Sequence, residues 1–89
     1  MMQKHTKIYL DYFDYKVASE VICEACQGQA VDIHHIHGRG KDKDVIENLM
    51  ALCRRCHDRA TGSKNYVPPD EMQLIHRYFL QGSRKTFLI

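Results

Sequence analysis

The sequence predicts a small α+β domain: two short strands and a helix held by four cysteines, flanked by an N-terminal element and a C-terminal helix. Three observations point there. The chain has 89 residues, 44% of them apolar. That is enough for one globular core, but a marginal one, of the size that often recruits a metal or disulfides. Two Cys-x-x-Cys pairs, Cys23/Cys26 and Cys53/Cys56, bracket 26 residues. Short apolar runs alternate with turn-forming clusters, and clear helical spacing appears only near the C-terminus.

Taken in order, residues 8–17 (IYLDYFDYKV) are dense in tyrosine and aliphatics. Their period is ambiguous between a short helix and an extended strip, so they read as an element packed on the core. VICEAC, residues 21–26, runs into QGQ, a turn between two extended pieces. AVDIHHI, residues 30–36, alternates Val31 and Ile33 with polar neighbours and predicts the first strand. The glycine- and charge-rich HGRGKDKD, residues 37–44, is a loop. LMALC, residues 49–53, is the second strand, and RRCHDRA, residues 54–60, is a helix that stops near Gly62. After a connector over 63–69, Asp70 can cap a final helix over residues 71–81. Its Met72, Ile75, Phe79 and Leu80 follow helical spacing. His76 lies close to that stripe and reads as a partly buried core histidine. Residues 82–89 carry no assignment. The whole chain, 1–89, reads as a single domain with its core at 21–62.

The N-terminus has no apolar segment of signal-peptide length, and no stretch approaches the roughly 20 apolar residues that span a bilayer. The chain therefore reads as cytoplasmic, with no membrane partner. In a reducing compartment four cysteines are metal ligands rather than disulfides. Two pairs of one spacing can place four thiolates on one zinc ion in a closed, structural tetrahedral site. A redox Cys-x-x-Cys would explain one pair and leave the other idle. Zinc here would tie residues 21–26 to the start of the 54–60 helix and make the metal-free protein largely unfolded.

Inside the insert that the cysteines close, His34, His35 and His37 fall within four positions, and His57 directly follows Cys56. His34 and His57, from different elements, are reasonable ligands for a second metal with open positions. His35 could stay metal-free and act as a general base, since an imidazole pKa near ~6.5 suits proton abstraction from water. Neighbours on an ideal strand point to opposite faces. His34 and His35 can share a site only where the strand twists or ends, or where a substrate lies between them. Gly38 and Gly40 favour a strand end.

The ordered segments CEAC, AVDIHHIHGRG and ENLMALCRRCHDRA, spanning residues 22–60, resemble the HNH endonucleases of zinc-bearing ββα-metal type. The resemblance implies a metal-dependent DNA endonuclease that hydrolyses phosphodiester bonds. It implies His35 as general base, His34 (where many members carry Asp) and His57 as ligands of one catalytic divalent ion, and Asn48 as the central asparagine that braces the loop. Some members add a ligand one helical turn after the helix histidine. Here that position is Thr61, a poor ligand. His37 has no fixed family role. Asp32 could orient a histidine, but a solvated strand residue is the plainer reading. The chain also resembles small stand-alone members of phages and prophages, a likeness that would imply phage packaging proteins as possible partners.

Lys plus Arg number 13 against 11 Asp plus Glu, a net charge of only +2. The chain is not a strongly basic nucleic-acid binder, and any positive surface must be local. Arg39, Lys41, Arg54 and Arg55 are the candidate phosphate contacts. Asp42, Asp44 and Asp58 dilute them. Such contacts position a backbone without reading sequence, so low specificity and salt-sensitive DNA binding are expected. Histidine ligands suit the later transition metals, so the catalytic ion stays open among Mg²⁺, Mn²⁺, Ni²⁺ and Zn²⁺. The oligomeric expectation is a monomer or weak dimer. The rival reading is a non-catalytic zinc module that binds nucleic acid or a protein partner. It would need the cysteines but not His34, His35 or His57.

Overall fold

In the computed structural model, which describes residues 3–62 and 64–87, two antiparallel strands form the centre: β1 (Asp32–His35) and β2 (Leu49–Leu52). Asp32 pairs with Leu52, Ile33 with Ala51, His34 with Met50 and His35 with Leu49. All four side chains of β2 are buried, and they alternate between two apolar clusters. Leu49 and Ala51 join Tyr9, Leu10, Val21 and Ala30. Met50 and Leu52 join Ile36, Cys56, Val67, Met72 and Ile75. Side chains of period two, covered on both faces, make a strand read as a continuous apolar run, as LMAL does.

Helices cover both faces. α1 (Lys4–Phe13) buries His5, Tyr9 and Leu10. It stops where Asp14 takes a left-handed conformation and the Tyr15 N–H returns to the Leu10 carbonyl at 2.9 Å. The stretch 8–17 thus straddles a helix end, which is why its period is ambiguous. α2 (Arg54–Ala60) starts at Cys53, whose sulfur accepts the Cys56 N–H at 3.5 Å. α3 runs Pro69–Leu80, two residues earlier than expected at its start, with Pro68 at the N-cap. Asp70 is therefore no cap. It stands with Glu71 in the first turn, where negative charge favours the helix dipole, behind a proline suited to that position. α3 buries Met72, Ile75, His76 and Phe79 and leaves Leu80 half-buried. His76 lies within the apolar stripe, fully buried rather than partly so.

Ser63 of the predicted connector, and Leu88 and Ile89 at the C-terminus, lie outside the described residues. Gly82, at φ 98°, closes α3 with its N–H on Phe79 O while the Ser83 N–H returns to Tyr78 O. This left-handed close favours glycine. The chain then folds back, with the Arg84 guanidinium 4.0 Å above the Phe79 ring and the Phe87 N–H on Ala25 O at 2.7 Å.

One buried polar network joins these parts. Glu24, between the first two cysteines, accepts from Tyr9 Oη–H, from the Ala51 N–H at 3.1 Å and from His76 Nδ1–H at 2.6 Å. His76 Nε2–H donates to Ile46 O at 2.6 Å. A carboxylate and a carbonyl can only accept, so both nitrogens of His76 carry protons and the ring is an imidazolium. Burial pulls the His76 pKa down, but the Glu24 hydrogen bond and charge outweigh it and the net shift is upward. Burial, and then the Glu24 charge, raise the Tyr9 pKa and keep its hydroxyl a donor. Among the described residues no helix is long and apolar enough to cross a membrane.

Candidate active site

The first knuckle is a tight hairpin: Cys23 N–H bonds Gly28 O at 2.6 Å, and Gln27 N–H bonds Cys23 O at 2.9 Å. It sets Cys23 and Cys26 against Cys53 and Cys56, and all four sulfurs lie within 4.8 Å of one another. The Cys26 and Cys53 sulfurs are 3.6 Å apart. That is far beyond the ~2.05 Å of a disulfide. It is near the ~3.8 Å edge of a tetrahedron with zinc–sulfur bonds of ~2.3 Å. Burial raises the Cys23 and Cys56 pKa values. Burial also resists ionisation of Cys26, but the Gly28 N–H and the three other thiols outweigh it and lower Cys26 to about 7. Four such thiols cannot all ionise without a cation among them, so the donor set fits a metal ion.

The cysteine cluster anchors the start of α2 and thereby His57. His34, on β1, faces it across a ring-centroid distance of 4.9 Å. His57 Nδ1–H donates to Asp32 Oδ2 at 2.8 Å, so Nε2 holds the lone pair. Metal-binding histidines are oriented in this way by a carboxylate on the other nitrogen. Asp32 also holds Arg54 at 3.2 Å. The plainer reading of Asp32 as a solvated strand residue is therefore corrected: it is shared between a histidine and an arginine. Burial first, then the neighbouring His57 and His35, pull the His34 pKa down to about 4. His34 is neutral near pH 7, with its ring available to a cation.

The β1–β2 register puts His34 and His35 on opposite faces of the sheet. A single cleft of about 610 Å³ nevertheless reaches both, because it wraps the end of β1. It is lined by Asp32, His34, His35, Arg39 and His57 together with Gln3, His5 and Thr6 of the N-terminal region. His35 is 7% exposed. Its Nε2–H donates to Asp44 Oδ1 at 2.7 Å, and that bond lowers the Asp44 pKa. The other nitrogen, Nδ1, is buried with no hydrogen-bond partner among the described residues.

Asn48 is buried behind the strand end. Its Oδ1 accepts the His37 N–H at 2.8 Å, and its Nδ2 donates to Gly38 O at 3.1 Å and Lys43 O at 3.0 Å. It pins both ends of the loop that carries Arg39. The His37 side chain is exposed and does not line the cleft. Thr61 lines it, but its hydroxyl donates back to His57 O and Asp58 O at 3.2 Å. Of the candidate phosphate contacts, Arg39 lines the cleft, Arg54 reaches its rim through Asp32, and Lys41 is exposed on the loop. Arg55 is turned to the cysteines: a hydrogen bond to Cys26 and the Cys56 charge raise its pKa.

Two residues in contact with His35 escape sequence reasoning. Asp44 reads only as a diluting charge, yet it holds His35. His5 carries no motif, yet its ring meets that of His35 edge-on at 4.7 Å. Only the helical spacing of His5 with Tyr9, one turn on, hints that it faces inward.

Residues 21–63 match the family model described as HNH endonuclease. Neither the comparison with curated proteins nor that with solved structures finds a match.

Proposed function

We propose, from the premise that residues 21–63 are an HNH domain, that this chain is a metal-dependent DNA endonuclease of low sequence specificity. The observation that carries the reading is the pairing of His34 and His57. Both are free to offer a ring nitrogen, one is oriented by Asp32, and both share a cleft with His35 and Arg39. His34 and His57 would hold one divalent ion, and zinc would fill the four cysteines. When bound, the catalytic ion neutralises charge on the scissile phosphate.

The other roles belong to the chain. Arg39, with Arg54 at the rim, contacts phosphate. Asn48 keeps the Arg39 loop in register. Asp44 holds the Nε2 proton of His35, which leaves the Nδ1 lone pair as the base. A buried, unpartnered acceptor is costly, and its retention suits a group kept for chemistry. As the oxygen of water bonds phosphorus, its proton passes to His35, and the bridging P–O bond breaks with its electron pair leaving on the departing oxygen, which takes a proton from solvent.

The test is plasmid nicking in Mg²⁺, Mn²⁺ or Ni²⁺ by wild type and by His35→Ala. Loss of nicking by at least 10²-fold is expected for a general base. Equal nicking by both proteins would remove His35 from the role. A zinc-filled but non-catalytic binding module would instead retain DNA or partner affinity with His34, His35 and His57 all substituted.

A further inference from the structure

We propose that His5, His35 and Asp44 form a second transition-metal site, distinct from the His34/His57 pair, and that an ion there shuts off the base. One donor atom from each of the three lies within 4.8 Å of the others. They come from three places: α1, the end of β1, and the end of the loop that Asn48 pins. Two of them are buried, His5 at 8% and His35 at 7% exposure, so burial limits their freedom to turn away. The His35 and Asp44 donors are already 2.7 Å apart. Asp44 is the more exposed partner and can open to the slightly longer spacing of a shared ion.

Two imidazoles and one carboxylate are a donor set for late first-row divalent ions rather than for Mg²⁺, which takes oxygen ligands. The set carries one negative charge, and Arg39 in the same cleft opposes a cation. The site is therefore weaker than four thiolates and exchangeable.

The consequence, which rests on His35 being the base, follows from imidazole chemistry. A neutral ring has one lone-pair nitrogen. A metal at Nε2, the nitrogen beside Asp44, takes the lone pair of the other tautomer and moves the ring proton to Nδ1, so no position remains to accept a proton from water. Nicking supported by Mg²⁺ or Mn²⁺ would thus be inhibited by excess Zn²⁺ or Co²⁺. The inhibitory site depends on α1, a helix outside the matched segment.

Cobalt(II) titration of the protein with zinc in its cysteines, followed by visible absorption, tests the site without any activity. Wild type should take two equivalents. His5→Phe and His5→Gln should each take one, and the double variant His5→Phe/His57→Ala none, with cysteine-bound zinc retained as the check on folding. The same uptake by His5 variants and wild type, or a single wild-type equivalent that His57→Ala abolishes, overturns the site. In Mg²⁺-supported nicking, the Zn²⁺ midpoint for inhibition should rise by about tenfold or more in His5→Phe, since losing even an outer-shell partner costs about 10–100-fold in affinity. Nicking indifferent to Zn²⁺, despite a confirmed second equivalent, overturns the shut-off. If no variant nicks in any metal, the nuclease reading fails while the cobalt count still decides the site.

Discussion

Three histidine–carboxylate pairs in this molecule have nearly the same geometry and different surroundings. In the core, His76 bonds Glu24 at 2.6 Å. At the cleft, His57 bonds Asp32 at 2.8 Å and His35 bonds Asp44 at 2.7 Å. What separates them is the second nitrogen. His76 gives its other N–H to Ile46 O, so both nitrogens are engaged and the ring is a fixed cation. His57 and His35 each keep one nitrogen without a partner among the described residues. In the proposed reading, the histidine bonded at both ends serves structure, and the two that a carboxylate fixes at one end only serve the chemistry.

The bluntest way to break the comparison is to remove what supports both regions. Glu24 lies inside the first knuckle, and His57 follows the second. Stripping the metal proposed for the four cysteines with a chelator should therefore abolish both together. Structural zinc sites of this kind contribute on the order of 10 kcal/mol, more than a domain of this size can lose. Far-UV circular dichroism should show the helices lost, and retained helicity would argue that the cysteines are dispensable.

Next in size is Glu24→Ala. It leaves a buried imidazolium unpaired, which costs about 3–5 kcal/mol, read as a lowered urea midpoint with the metal still bound. The matching cleft change, Asp32→Asn, should move stability by less than about 1 kcal/mol because that pair is partly exposed. Its effect should fall instead on the ion proposed for His34 and His57, weakening it by about 10–100-fold in calorimetric titration. If the two variants behaved alike, the distinction between structural and chemical pairs would collapse.

The smallest effect is with pH. The folded pKa of His76 lies above its ordinary 6.5. The stability it adds is fully present below that ordinary value and is lost as pH rises through the folded value. With zinc bound, the urea midpoint should decline from pH 6.5 towards alkaline pH, and His76→Gln should flatten the decline. A midpoint that rises over that range would contradict a protonated His76.

The elements that the sequence makes legible are those defined by local chemistry. LMAL reads as a strand because four apolar residues in a row need cover on both faces. RRCHDRA reads as a helix bounded by cysteine and glycine. Met72, Ile75 and Phe79 mark the buried side of α3. α1 is less legible, since the aromatics and acids of DYFDY fit two periods and the helix ends inside the run. The start of α3 follows Pro69 rather than Asp70. The cleft histidines are conspicuous as a cluster and beside a cysteine. Their partners are not, because contacts over long sequence separations leave no local mark. Asp32 meets His57 from 25 residues away, His76 meets Glu24 from 52, and His5 reaches His35 from a different helix.

The Glu24 network also bears on how portable the matched segment is. Tyr9 and His76, the side chains that satisfy Glu24, lie on either side of residues 21–63. A fragment cut to those limits would retain every cysteine, His34, His35, Asn48 and His57. It would also carry a carboxylate stranded in an apolar interior, and a central strand bare on one side. What is recognisable as a motif is thus smaller than what can stand as a molecule. Grafting this chemistry onto another scaffold would require moving the two outer helices with it, or rewriting Glu24 first.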